Sequence, residues 1–219
     1  MKVKHCHWFA IVLLLANFFL MRQSYAAVFN MQDSDLQSCL QELADINQWH
    51  HPQDVTEVKC HSQGIRSLQG LEQFINLESL SLYNNKLEQV KIDPKSFPKL
   101  STLNLARNNL TDLAIVDVPN LNKLYVFDNH LEVLTLSNLA KLEVFKANNN
   151  KIEQFTYSNT PQLKKIYIFN NQLETINIYD LPSLQYMDCR QNPMPDSLYD
   201  EMDKVDAITF LHDGNAEDW

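Results

Sequence analysis

Residues 121–131 read LNKLYVFDNHL, and residues 163–173 read LKKIYIFNNQL. Apolar residues fill the first, fourth, sixth and eleventh places, and asparagine fills the ninth. Alternation over the middle places marks a short strand with one buried face. Leu124, Val126, Ile166 and Ile168 then point into a core, and Tyr125, Phe127, Tyr167 and Phe169 point away from it. The same spacing recurs outward in both directions, as VTEVKCHSQGI (55–65), LESLSLYNNKL (77–87), LSTLNLARNNL (100–110), LEVFKANNNKI (142–152) and LQYMDCRQNPM (184–194). The copies start at 55, 77, 100, 121, 142, 163 and 184, so the period is 22, then 23, then 21 residues four times. Such self-similarity predicts a solenoid, because one copy cannot bury its apolar side alone and stacked neighbours bury it together.

The signature L-x-x-L-x-L-x-x-N-x-L resembles the leucine-rich-repeat family over residues 55–194. The resemblance implies a leucine-rich-repeat solenoid with one short parallel strand per repeat lining a concave face. At ~4.8 Å per strand, seven repeats make a sheet roughly 34 Å wide. The 21-residue copies are similar to those of internalin-like exported bacterial proteins rather than to the longer helical eukaryotic type. That implies a mostly extended convex side. The second halves TDLAIVDVPN, EVLTLSNLAK, EQFTYSNTPQ and ETINIYDLPS alternate accordingly, with apolar pairs Leu113/Ile115, Leu134/Leu136, Phe155/Tyr157 and Ile176/Ile178. Asp117, Asn138, Asn159 and Asp180 then turn the chain. SLQGLEQFIN (67–76) spaces Leu68, Leu71 and Phe74 by three and predicts a 3₁₀ or helical turn. The ninth places hold Asn85, Asn108, Asn129, Asn150, Asn171 and Asn192, with Gln63 in the first copy. In this family these side chains point inward, so they are expected to form a structural asparagine ladder serving backbone groups that would otherwise be buried and unpaired.

Both ends of a solenoid need caps. Residues 33–49 carry Leu36, Leu40, Leu43 and Ile46 at helical spacing behind an Asp/Ser start signal, which predicts a capping helix within residues 27–54. That helix places Cys39 near the first strand and its Cys60. Exported bacterial repeat proteins look similar here, so a Cys39–Cys60 disulfide is expected, worth ~3 kcal/mol in the chain-entropy picture. Cys189 shares the inward column of Leu82, Leu105, Val126, Ala147 and Ile168 and is expected as a buried thiol. Residues 195–219 form the other cap. PDSLYDEM (195–202) suits a short helix, AITFL (207–211) a last edge strand, and the acidic tail HDGNAEDW discourages further strand addition.

The start of the chain reads as a Sec-type signal peptide over residues 1–26. Lys2 and Lys4 precede the apolar run WFAIVLLLANFFLM (8–21), and Ser24-Tyr25-Ala26 offers small residues for cleavage after Ala26. The alternative is an uncleaved anchor, for which 14 residues are short against the ~20 of a spanning helix. The expectation is an exported protein, periplasmic or secreted, whose mature form does not span the membrane. The 219-residue chain has a net charge of −9. Losing residues 1–26 removes Lys2, Lys4 and Arg22, three of its 18 basic residues, and none of its 27 acidic ones, which gives −12. Such acidity disfavours nucleic acid and anionic lipid.

Three glycines in the whole chain argue against glycine-rich phosphate loops. No G-x-S-x-G, H-E-x-x-H or C-x-x-C occurs. His50, His51 and His61 lack metal-ligand spacing and read as solvated loop histidines, and Asn109-Leu110-Thr111 is a sequon that matters only in a eukaryotic secretory route. No enzyme, cofactor or metal site is expected. What remains is the concave face, the third, fifth and seventh places of each repeat. Six of these 21 positions are aromatic: Tyr83, Tyr125, Phe127, Tyr167, Phe169 and Tyr186. Five are basic, Lys59, Lys123, Lys146, Lys165 and Arg190, against Glu57 and Asp188, so the face is +3 on an acidic molecule. Aromatics among cations compose a recognition surface, densest over repeats 4–7. The expected ligand is an acidic or mixed-charge protein bound by a monomer; a glycan or a structural role in the cell envelope are the alternatives. The bland reading of the aromatics is that they shield one another across neighbouring strands.

Overall fold

The computed structural model describes residues 29–214. The expected signal peptide (1–26) and the last five residues of the acidic tail lie outside the described residues. The chain order is α1 (Ser34–Asn47), β1 (Glu57–Lys59), β2 (Ser79–Ser81), β3 (Gln89–Ile92), β4 (Thr102–Asn104), β5 (Asp112–Ile115), β6 (Lys123–Tyr125), β7 (Val133–Ser137), β8 (Val144–Lys146), β9 (Gln154–Ser158), β10 (Lys165–Tyr167), β11 (Tyr186–Asp188), α2 (Asp196–Met202) and β12 (Thr209–Leu211).

Eight strands make one parallel sheet in the order β1-β2-β4-β6-β8-β10-β11-β12. Equivalent repeat positions pair without stagger: Val58, Leu80, Leu103, Leu124, Phe145, Ile166, Met187 and Phe210 follow one another across it. The period therefore converts each repeat position into a column on the molecule. Seven strands come from the seven copies, and β12 adds the eighth. All eight residues of that central column are buried. Each such side chain contributes roughly 1.5–3 kcal/mol by leaving water.

Strands stop where the eighth place of each repeat turns left-handed. Ser62, Asn84, Arg107, Asp128, Asn149, Asn170 and Gln191 all have φ between 53° and 58°. Asn and Asp tolerate this region best among non-glycine residues, which explains the repeated Asn-Asn and Asp-Asn pairs. The ninth-place asparagine follows, turned inward. Asn129 Oδ1 accepts the Leu110 N–H at 3.0 Å, and its Nδ2 donates to the carbonyls of Leu105 and Val126 at 3.1 and 3.0 Å. Asn108, Asn150, Asn171 and Asn192 repeat this pattern, and Asn85 Oδ1 accepts from Gln63, Gly64 and Ile65.

The convex side is extended. β3 pairs with β5 and β7 with β9, and Val116 bridges to Ser137. Ile176 and Ile178 are buried without forming a strand. Leu71–Gln73 is a 3₁₀ turn. Tyr157 departs from its expected buried pairing: it is half-exposed, and its hydroxyl donates to the Asn177 carbonyl.

Helix α1 closes the first repeat with Leu36, Cys39, Leu40 and Ala44 buried. Ile46, expected in that stripe, is 68% exposed. The Cys39–Cys60 disulfide, with Cα atoms 5.9 Å apart, turns the 36-39-40-44 face inward, and Ile46 falls off it. At the far end α2 buries Tyr199 and Met202. His212, wholly buried, continues the sixth-place column beyond Cys189; it stacks on Tyr199 at 4.6 Å, and its Nε2 lies 3.0 Å from Asp203 Oδ1. Burial, with the Asp188 and Asp213 carboxylates nearby, pushes the Cys189 thiol up to about 12, which keeps it protonated and unreactive at neutral pH.

Candidate functional site

On repeats 4–7 the concave face is a grid of twelve outward positions. Its rows are Lys123, Tyr125, Phe127 at β6; Val144, Lys146, Asn148 at β8; Lys165, Tyr167, Phe169 at β10; and Tyr186, Asp188, Arg190 at β11. The register puts Tyr125, Lys146, Tyr167 and Asp188 in one column. Lys123, Val144, Lys165 and Tyr186 form one rim, and Phe127, Asn148, Phe169 and Arg190 the other.

The aromatics are all half-buried, and several touch across strands. Lys146 Nζ lies 4.6 Å from the Tyr167 ring centroid and 5.8 Å from that of Tyr125. Tyr167 meets Tyr186 at 5.2 Å with rings inclined at 44°. Cross-strand packing therefore exists, and each such contact adds about 0.5–1 kcal/mol. Phe127 and Phe169 stand apart from it: among the described residues neither makes a ring contact. Burial raises the phenols of Tyr125 and Tyr186, with Tyr167 adding to the first and Asp188 and Tyr167 to the second, so both remain neutral hydroxyls.

The structure redistributes the cations counted from sequence. Arg190 grips Asp188 through two hydrogen bonds of 2.9 and 2.7 Å, and this bond raises the guanidinium further. The Asp188 side chain is only 4% exposed. Lys59 pairs with Glu57 at 2.8 Å. Both acids of the face are thus neutralised internally, together with two of its five cations. The charge of +3 that remains rests on Lys123, Lys146 and Lys165, within repeats 4–6. Lys123 and Lys165 are exposed and have no ion-pair partner among the described residues. Arg190 is better described as the internal partner of Asp188 than as a free cation. It also lines, with Phe169, Gln191 and Asp213, a shallow recess of about 340 Å³.

Tyr83 lies outside this grid. Ala106 separates it from Phe127 along the seventh-place column, and it contacts His61 at 5.8 Å and the Arg107 guanidinium at 5.5 Å. Arg107, which the sequence reading passed over, also bonds Asp128 at 3.1 Å. Its only signal is that it occupies an eighth place held elsewhere by smaller polar residues. Among the described residues no three His, Cys, Asp or Glu side chains gather as a metal site, and no helix is long and apolar enough to cross a membrane.

A sequence model of the leucine rich repeat family matches residues 75–131. Over 53 residues the chain is 47% identical to the human (Homo sapiens) leucine-rich melanocyte differentiation-associated protein; the match covers 24% of this chain and 26% of that one. The fold is similar to an internalin (inlF) from Listeria monocytogenes str. 4b F2365, with TM-score 0.52 and 21% identity over 76% of this chain and 58% of that one. YopM from Yersinia enterocolitica WA-314 gives TM-score 0.53 and 25% identity, covering 83% of this chain and 42% of that one. An internalin C2 (inlC2) from the same Listeria strain gives 0.54 and 15%, covering 83% and 94%. The chain thus spans about a quarter of its curated relative and about half the length of the first two structures. Sequence match and fold likeness lead to one statement: residues 75–131 carry leucine-rich repeats, and the described residues fold as a leucine-rich-repeat solenoid similar to those of the internalins.

Proposed function

We propose that the protein is an exported, non-enzymatic module that holds a protein partner on the concave face of repeats 4–7. One observation carries the reading. The positive charge left over on an acidic molecule and the half-buried aromatics occupy the same twelve-position grid. Repeat solenoids use such extended concave surfaces for macromolecular partners, and aromatic residues beside cations are the usual anchors of protein interfaces. Export is supported by the leader pattern of residues 1–26 and by the disulfide, a bond that persists in oxidising compartments. Glycan recognition is less favoured, because Lys146 and Tyr186 already lie against the rings that sugars would stack on.

The test replaces Phe127 and Phe169 together by Ser and compares capture of partners from cell-envelope and culture-medium fractions. Neither ring supports the sheet through another ring, so the circular dichroism spectrum should not change. Capture should fall at least about tenfold, the usual scale for truncating interface anchors. Equal capture by the wild type and the double variant removes the concave face from consideration.

A further inference from the structure

Resting on the concave-face reading above, we infer that the partner contributes an amphipathic α-helix with an acidic flank, laid across the strands along the solenoid axis.

Three features of the grid converge on this occupant. The first is width. Third to seventh places span four residues of strand, about 13 Å, and a helix with its side chains is about 10–12 Å across. A helix fills the three columns and satisfies its own backbone. An extended segment crossing the strands covers little more than one column. It also leaves its backbone without partners, because the N–H and C=O groups of β6, β8 and β10 already pair within the sheet. Strand addition requires a free edge, which the middle of this sheet does not have.

The second feature is spacing. Lys123 and Lys165 hold the same repeat position on strands two apart, so their stems rise about 10 Å from each other. Residues i and i+7 of an α-helix lie on one face about 10.5 Å apart. Same-face residues of an extended chain recur at about 6.7 and 13 Å, and neither matches. The half-buried apolar Val144 sits between the two lysines, where an intervening aliphatic residue of the helix would rest.

The third feature is sidedness. One rim carries Lys123 and Lys165, the opposite rim carries Phe127 and Phe169, and Tyr125, Lys146 and Tyr167 form the floor. A helix acidic on one flank and apolar on the other matches rim for rim. The remaining surface is acidic and repels such a helix, which confines it to this face.

The probe is a display library built on a small three-helix bundle, randomised over one exposed helix face and selected against the full folded protein. Parallel selections use Lys123→Glu/Lys165→Glu and Phe127→Ser/Phe169→Ser. Both lysines are exposed and have no ion-pair partner among the described residues, so the charge-reversed variant keeps its fold, checked by circular dichroism. Clones enriched on the wild type should carry Asp or Glu at i and i+7. They should bind the charge-reversed variant at least about tenfold more weakly, and selection on that variant should return Lys or Arg at the same spacing. Clones that need Phe127 and Phe169 but ignore the charge reversal, or lack the acidic pair, overturn the helix inference and leave the concave-face reading intact. Clones indifferent to both substitutions, or no enrichment above the Phe127→Ser/Phe169→Ser control, overturn both.

Discussion

Asn129 accepts one backbone N–H and its amide nitrogen donates to the carbonyls of Leu105, Val126 and Phe127, all within turns that neighbouring repeats close over. No other side chain of that size offers an acceptor and two donors in one plane. Asn129→Ala leaves these buried groups unpaired at about 1–3 kcal/mol each, reduced where water enters, so a loss of roughly 2–4 kcal/mol is expected from urea unfolding. Asn148→Ala, on the open face with no side-chain hydrogen bond among the described residues, should cost less than about 0.5 kcal/mol in the same experiment. The two asparagines differ only in repeat position, ninth against seventh. That difference is visible in the sequence once the period is known. The left-handed turn at the eighth place is less so, because Arg107 and Gln191 adopt it as readily as the asparagines around them; there the stacked neighbours impose the backbone.

At the scale of elements, α1 is held to the first repeat by one carboxylate as well as by the disulfide. Asp33 Oδ1 accepts the N–H groups of Asp35 and Leu36, capping the helix, and Oδ2 accepts those of Arg66 and Ser67 in the repeat. Burial pushes this carboxyl up, but the N–H groups of Arg66, Leu36, Asp35 and Ser67 outweigh it and hold it below its ordinary value. A depressed carboxyl pKa contributes stability above the unfolded-state value near about 4, and that contribution disappears as pH falls through the folded-state value. Asp33→Asn turns one oxygen into a donor facing two donors. It should therefore lower stability by about 1 kcal/mol at pH 7, with the difference shrinking below pH ~4 in thermal melts. The helix itself, its aspartate cap and its approximate length were legible in residues 33–49. Leu36 and Leu40 of its buried stripe were legible too, but the end of the stripe was not, because periodicity alone leaves Ile46 and Ala44 as rivals for the core and the position of Cys60 decides between them.

At the scale of the molecule, zero-stagger pairing makes the solenoid modular: each repeat meets only its two neighbours. Excising residues 142–162 joins Lys141 to Leu163 in frame and should leave a shorter solenoid with the same type of circular dichroism spectrum and a lower melting temperature. The in-frame excision also brings Lys123 and Lys165 onto adjacent strands, about 5 Å apart.

Repeat period, inward columns and the asparagine ladder follow from sequence alone, because a solenoid is nearly one-dimensional and its contacts are set by a fixed offset along the chain. The composition of the concave face was legible for the same reason. Which of its charges are available was not. Arg190 and Lys59 are consumed by Asp188 and Glu57 two residues away on their own chain segments, and Lys146 is held against two rings from neighbouring strands. Side-chain pairing depends on rotamers and burial, which a column of letters does not carry, so only the tertiary structure leaves Lys123 and Lys165 facing solvent on the rim opposite Phe127 and Phe169.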